Sequence, residues 1–285
     1  MSTKEDLRIV VAPGKRIFEN ENKPIMIKCP WHDDQHASLA VYSDHCYCFG
    51  CQKYVHASEW LGKPMPLPKV KERIDTSPPS QPMSKDIARK YHANLGKKKQ
   101  WYLDRGLSDS IIDSQLLGYY NNTFTIPVWH PSGELLTVRF RRDDSISQNG
   151  VKYWGVKGRN NTLLYNQEAL RWENMEKYGH HVVICEGELD CLRLWQEGIP
   201  AVSSTNGVHG FQKLWKRYRI FFEGAWRIFI AFDQDEEGKK EAVRLSKIIG
   251  RRALVLTWDI GFGKDITELA YIMGIEYIKG SLIKS

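Results

Sequence analysis

Long hydrophobic runs are missing from this sequence. A helical bilayer span needs ~20 consecutive apolar residues, and the apolar stretches of this 285-residue chain are short, such as Ile228 to Phe232. The opening residues, MSTKEDLRIV, have none of the apolar core of a secretory signal, so the expected location is the cytoplasm, with no membrane partner. There is no internal repeat. Cysteine is sparse, and four of the six cysteines (Cys29, Cys46, Cys48 and Cys51) crowd into one short segment. In a reducing compartment such a cluster reads as metal ligands rather than disulfides. What is present is ordinary globular composition, 42% hydrophobic and 26% charged, which excludes a wholly disordered or collagen-like chain. The length suits about two domains. A net charge of +7 favours a polyanionic partner.

That charge is local. Residues 84–165 carry thirteen Lys and Arg against seven Asp and Glu, while 1–62 and 180–285 are close to balance. Residues 63–83 hold six of the twelve prolines (Pro64, Pro66, Pro68, Pro78, Pro79 and Pro82). Proline fixes φ and has no backbone donor, so this stretch reads as an extended linker between a small cysteine-rich unit, 1–62, and the rest. From 84 to about 120 the pattern is helical: Ile87, Tyr91 and Leu95 step by four, and Ile111, Ile112, Leu116 and Leu117 mark a second apolar face. Over 123–142, Phe124, Ile126 and Val128 alternate, Pro131-Ser132-Gly133 turns, and Leu136, Val138 and Phe140 alternate again, predicting two strands. From 180 onward strands (His181–Cys185, Ala201–Val202, Ile228–Phe232, Ala253–Thr257) take turns with helices carrying Leu189, Leu192 and Trp195, then Ala242, Leu245 and Ile249. That alternation predicts a mainly parallel sheet.

The cysteine-rich unit contains CPWH at 29–32 and CFGC at 48–51, two pairs each spaced by two residues. Two such turns can close a tetrahedral zinc site, and in so small a unit the metal would contribute much of the folding energy. The expected ligands are Cys29, His32, Cys48 and Cys51. Cys46, His36, His45 and His56 are nearby substitutes; Cys46 is set aside on the expectation that it and Cys48 point to opposite sides of a strand.

Two acidic sets follow buried strands. Glu186-Gly187 comes directly after His181–Cys185, and Asp233-Gln234-Asp235 directly after Ile228–Phe232. In open parallel sheets the binding crevice lies at the carboxyl ends of the strands, so the fold would bring these sets together. Asp233 and Asp235, two apart, can share one ion, and oxygen ligands suit Mg2+ or Mn2+. The plain alternative is helix capping by Asp235 and Glu236. Asp190 reads equally as a further site acid or a solvated helix residue. Asp265, in GFGKD after Ala253–Thr257, lies at the same end of the sheet.

Taken in order, these segments resemble a DnaG-type bacterial or phage primase over nearly the full chain. CPWHDDQHASLAVYSDHCYCFGCQ resembles that family's zinc-binding domain, VVICEGELDCLRLW with AFDQDEEGKK resembles the TOPRIM catalytic fold, and YLDRGLSDSIIDSQLLGYY with FTIPVWHPSGELLTVRFRR and KYW resembles its basic subdomain. The resemblance implies an α/β chain, α+β overall: a TOPRIM-like mainly parallel sheet (180–285), a basic α+β subdomain (84–179) and a small N-terminal zinc-ribbon domain. It implies Glu186 as the catalytic glutamate, Asp233 and Asp235 as catalytic metal-binding aspartates, Asp190 as a further acid, and Asp265 as the first of a later acidic pair. The second of that pair falls at Thr267, with Glu268 beside it.

Lys152 resembles a lysine linked to nucleotide or template binding, and Lys157 a second such lysine. Arg139, Arg141 and Arg142 lie near an arginine-bearing strand end. With Arg105 and Lys97–Lys99 they are the candidate contacts to template phosphates, Lys97–Lys99 reading equally as a solvated face. The implied activity is nucleotidyl transfer: short RNA primers made on single-stranded DNA from nucleoside triphosphates, through an RNA–DNA hybrid, with one Zn2+ per chain and catalytic Mg2+ or Mn2+. No Walker-type loop is present, so a separate replicative helicase is the expected partner and a phage or mobile element the expected source. The rivals are a TOPRIM nuclease and a non-catalytic zinc-containing protein that binds or loads on single-stranded DNA.

Overall fold

In the computed structural model, residues 25–56 (apart from 30, 34, 43 and 44) and 81–283 (apart from 148, 160 and 161) are described. The chain divides into two compact units, Met1–Ile74 and Asp75–Ser285. Most of the expected proline-rich linker lies outside the described residues. No helix among them is long and apolar enough to cross a membrane.

Four short strands build the first unit: β1 (Ile25–Ile27), β2 (Leu39–Val41), β3 (His45–Cys48) and β4 (Tyr54–His56), antiparallel and in sequential order. β2 is wholly buried, while β3 alternates, with Cys46 and Cys48 inward. This corrects one expectation. Residues two apart on a strand share a face, so Cys46 is not separated from Cys48 by orientation. Its Sγ instead donates to the Val55 carbonyl across the sheet (3.5 Å), whereas Cys48 ends β3 where the chain turns. Among the described residues the buried cluster comprises Cys29, Leu39, Val41, Cys46, Cys48 and Val55, with Trp31 packed against it.

The second unit contains two sheets. β5 (Gly118–Tyr120), β6 (Thr123–Trp129), β7 (Leu135–Arg142) and β8 (Tyr153–Gly155) form an antiparallel meander. Gly133, at φ +82°, makes the expected turn between β6 and β7. The two predicted strands are there, but they are buried almost throughout rather than on alternate residues. Both faces are covered. Leu135 and Val138 pack with Ala88 and Tyr91 of α1 (Lys85–Ala93). Phe124, Ile126 and Val128 pack with Tyr102 of α2 (Lys99–Leu103), Ile111 and Ile112 of α3 (Asp109–Ser114), and residues of the second sheet.

That second sheet runs β13 (Ala253–Val255), β12 (Arg227–Ala231), β10 (His181–Cys185), β11 (Ala201–Ser204) and β9 (Leu164–Tyr165). The first four are parallel and β9 is an antiparallel edge. Between them run α5 (Glu188–Trp195), α6 (Gly207–Tyr218) and α7 (Glu236–Ile249), with α8 (Ile266–Met273) and α9 (Ile275–Ile283) after β13 and a short α4 (Trp172–Glu176) before β10. Alternate residues feed the two faces. Val183, Cys185, Phe229 and Ala231 face the core shared with the meander, and Val182, Ile184, Ile228 and Ile230 face the core containing Phe211 and Leu245 of α6 and α7. The first core crosses residue 180 without a break, so segments 84–179 and 180–285 pack as one unit. β10 is central, with β11 on one side and β12 on the other. The strand order therefore switches at β10, and in such sheets the binding crevice lies at the carboxyl ends of the strands beside that switch.

Candidate active site and metal centre

Glu186 leaves β10 and Asp233 leaves β12, strands that pair in parallel with Cys185 opposite Ala231. The sheet register thus sets the two carboxylates side by side, and the Asp233 amide donates to Glu186 Oε2 (3.3 Å). Asp235 is the N-cap of α7, with Oδ1 accepting from the Gly238 amide (2.9 Å). The capping and site readings of Asp235 coexist: one oxygen caps, and the other, Oδ2, faces Lys264 Nζ at 3.2 Å. Gly238 is needed for this turn, because a Cβ there would overlap the backbone carbonyl of Asp233.

Asp265 caps α8, accepting from the Glu268 amide (2.8 Å). Asp190, one turn into α5, accepts from both the amide and the hydroxyl of Thr267 (3.1 and 2.7 Å). It is not a solvated helix residue. Thr267 stands beside Asp190 as a donor, so this part of the cluster carries one negative charge fewer than an acidic pair would.

Crowding of these acids marks a site short of positive charge. Burial, then the charge of Asp233, pushes Glu186 up to about 7. Burial raises Asp233 against the opposing pull of Lys264, and burial with the charge of Asp265 lifts Asp190 well above the usual carboxylate range. Only Asp235 is lowered, chiefly by its amide partner Gly238. The donor set is all oxygen, half-buried and under mutual repulsion. A cation, the Lys264 ammonium, already lies between two of its members, 3.0 Å from Asp233 and 3.2 Å from Asp235. Glu186, Asp233 and Asp235 therefore fit a hard divalent cation.

Beside the acids lies a cavity of about 580 Å3. Asp104, Asp190, Asp265 and Glu268 line it together with Arg105, Arg141, Lys152 and Arg193, while Glu186, Asp233 and Asp235 stand outside its lining. Arg105 stacks on Trp101 (3.6 Å to the ring centre) and donates to its carbonyl (3.0 Å). Arg141 is buried against Asp144 (2.8 Å) and also meets the Trp101 ring. Lys152 is exposed at the cavity.

Other candidates are placed differently. Arg139 is buried in an ion pair with Glu188 (3.2 Å, side chains 8% and 7% exposed), so it is a structural cation and not a phosphate contact. Arg142 holds Asp144 and the Gly150 carbonyl. Lys98 is paired with buried Asp143 (2.5 Å), and Lys99 with Asp109 and Asp113. Lys157 is exposed in the turn after β8 and does not line the cavity.

In the first unit, one ligand atom each of Cys29, His32, Cys48 and Cys51 lies within 4.8 Å of the others. Among the described residues this is the group of His, Cys, Asp and Glu drawn together tightly enough for a metal. Amides of Gly50 and Cys51 donate to Cys48 Sγ (3.3 Å each), as does the Ser38 hydroxyl (3.2 Å). Burial opposes ionisation of Cys48, but these donors outweigh it and lower its pKa. Burial raises Cys29. A thiolate prepared by backbone amides at a C-x2-C turn fits zinc.

Residues 183–270, which span β10 to α8, match a Toprim-like family model. The zinc-binding and RNA polymerase domains of the Aquifex aeolicus primase superpose with a TM-score of 0.58 at 17% identity, covering 100% of this chain and 86% of that one. The chain has the DnaG-type primase fold. A DnaG primase catalytic domain solved with bound single-stranded DNA has a TM-score of 0.52 at 15% identity, over 70% of this chain and 76% of that one. A DNA helicase/primase of Enterobacteria phage T3 is 25% identical over 223 residues, 74% of this chain; the chain spans 35% of that relative's length.

Within this primase fold, sequence reasoning missed four residues. Lys264 sits inside the quoted GFGKD but was passed over for the adjacent Asp265. Buried Gln234, between the two aspartates, pins the loop after β13: its amide donates to the Lys264 carbonyl (2.8 Å) and its Oε1 accepts from the Trp258 amide (3.2 Å). Arg193 reaches the cavity from α5, and Glu188 neutralises Arg139. Lys264, Gln234 and Glu188 carry no local signal, because each acts on a partner distant in the chain; Arg193 pairs with Glu197 one turn on (2.7 Å), and only the fold brings it to the cavity.

Proposed function

We propose that the chain is a DNA primase, making short RNA primers on single-stranded DNA from nucleoside triphosphates. The observation that carries this reading is a cavity lined by acids and cations together, beside the crowded carboxylates that follow the parallel strands of a primase fold. The acids Glu186, Asp233 and Asp235 would hold Mg2+ or Mn2+, which neutralises phosphate charge as a 3′-hydroxyl attacks an α-phosphate and pyrophosphate leaves. Arg105 and Lys152 orient the anionic chain of nucleotide or template in the neighbouring cavity, where Arg141 is held by Asp144. Asp190 and Asp265 add carboxylates to the cavity lining, with Thr267 fixing Asp190. In the first unit, Cys29, His32, Cys48 and Cys51 would hold one structural Zn2+, and that unit would take part in reading the template. A replicative helicase is the proposed partner, in keeping with the phage helicase/primase relative.

The test is synthesis of labelled primers on single-stranded DNA with Mg2+ or Mn2+. Asp233→Asn and Asp235→Asn should each lower kcat by about a hundredfold or more while template affinity holds. Wild-type rates in both variants would refute the assignment. Cleavage of nucleic acid without nucleoside triphosphates would replace it with the nuclease reading.

A further inference from the structure

Among the described residues, Asp233 and Asp235 are bridged by a cation of the chain itself, Lys264. Lys264 Nζ lies 3.0 Å from Asp233 Oδ2 and 3.2 Å from Asp235 Oδ2, in the space between the carboxylates that a shared divalent ion would need. An ammonium and a divalent cation repel, and at such separations in a half-buried site the two cannot both be held.

The backbone of Lys264 is fixed from two directions. Its amide donates to Glu268 Oε2 (2.7 Å) and its carbonyl accepts from the Gln234 amide (2.8 Å). Its side chain is not fixed in the same way: it is 49% exposed and reaches the aspartates on a flexible four-carbon stem. The ammonium can therefore swing into water without disturbing the loop. Without it, Glu186, Asp233 and Asp235 would present three carboxylates with no cation among them.

We infer that Lys264 is a built-in counter-ion, holding the acid cluster together in the metal-free protein and displaced when a divalent cation binds, so that it sets the cation affinity of the site. The inference rests on the metal-binding reading of Glu186, Asp233 and Asp235. It makes Lys264 a competitor of the metal, with two measurable consequences. Removing the charge strengthens cation binding, and binding a cation liberates the amine.

The experiment uses the full zinc-loaded chain and Mn2+ as the probe. Free Mn2+ is followed by electron paramagnetic resonance in wild type, Lys264→Met, Lys264→Arg and the Asp233→Asn/Asp235→Asn double variant. The expected result is binding about tenfold tighter in Lys264→Met than in wild type, wild-type-like binding in Lys264→Arg, and loss of that binding event in the double variant. Wild-type protein acetylated with a succinimidyl ester gives a second readout that needs no variant to fold. Lys264 should be modified several-fold faster with saturating Mn2+ than with chelator, as read by mass spectrometry. Equal Mn2+ affinity in wild type and Lys264→Met, with the event still lost in the double variant, overturns the counter-ion role and leaves the metal site standing. Unchanged acetylation of Lys264 overturns it likewise. If no Mn2+ event depends on Asp233 and Asp235, both the inference and the metal reading fail.

Discussion

Single side chains in this protein do two jobs through their two oxygens. Asp235 caps α7 with one and faces Lys264 with the other, and Asp265 caps α8 while lining the cavity. The caps hold the carboxylates still, and Gly238 lets the capping turn close against Asp233. Gly238→Ala should therefore force the turn open, costing about 1–3 kcal/mol and weakening Mn2+ binding. Calorimetry and a Mn2+ titration check this, and an unchanged titration would show that the turn does not set the site. Asp143 offers a cleaner test away from the acids. Burial works against its charge, but Lys98, Ser145 and Tyr119 more than compensate and hold its pKa at about 2. A folded value below the unfolded one stabilises above the unfolded pKa, and that contribution is lost as pH falls through about 2. Asp143→Asn should cost roughly 2 kcal/mol near neutral pH, with the deficit shrinking in acid; urea unfolding across pH would show it. The Asp-x-Asp pair was legible because a continuous apolar strand precedes it. The fate of Arg139 was not, because its partner Glu188 lies 49 residues along the chain.

Elements were legible where their apolar pattern was long or continuous. The strands β10 and β12 and the helices α5 and α7 are where the residue pattern predicts them, within a residue or two at the ends. Several others went unseen, among them β9, β5 and α6. β9 is two residues long and exists only because it pairs with β11. β5 falls inside a stretch whose spacing reads as helix, and Gly118 in it passes against the backbone of α1 at Tyr91. α6 does carry a helical stripe, with Val208, Phe211, Leu214, Trp215 and Tyr218 buried. The sheet of the first unit has a different dependence. Its strands are three or four residues long and its buried cluster holds six residues, half of them cysteines. A core of that size among the described residues is one to which a metal would contribute much of the stability. Chelating zinc should therefore abolish hydrogen-exchange protection in β2 and β3 while leaving β10 and β12 protected, because the second unit has its own two large cores. Exchange monitored by mass spectrometry decides it, and protection surviving in β2 would mean that zinc is not what holds the sheet.

At the scale of the whole molecule, the net charge of +7 overstates the surface offered to a polyanion. Residues 84–165 hold the excess, yet Arg139, Arg142, Lys98 and Lys99 are each committed to a carboxylate of the same unit. Burying Arg139 beside Glu188 is tolerable only as a pair, since breaking such a pair leaves an uncompensated charge in the core. Arg141, buried against Asp144, belongs with these struts; they stiffen the wall that carries Arg105 and Lys152 to the cavity, and those two are left to meet phosphate. The two groups should separate in the salt dependence of binding to single-stranded DNA. Each phosphate contact contributes about 0.7 to the slope of log affinity against log salt for a single strand. Lys152→Ala should lower the slope by about that amount with little change in stability. Lys98→Ala should leave the slope unchanged and lower the melting temperature, because its partner Asp143 is buried. Fluorescence anisotropy over a series of salt concentrations, with melting curves for each variant, separates the outcomes. A slope that fell equally for both lysines would place Lys98 on the nucleic-acid surface and undo the division of the basic segment into struts and contacts.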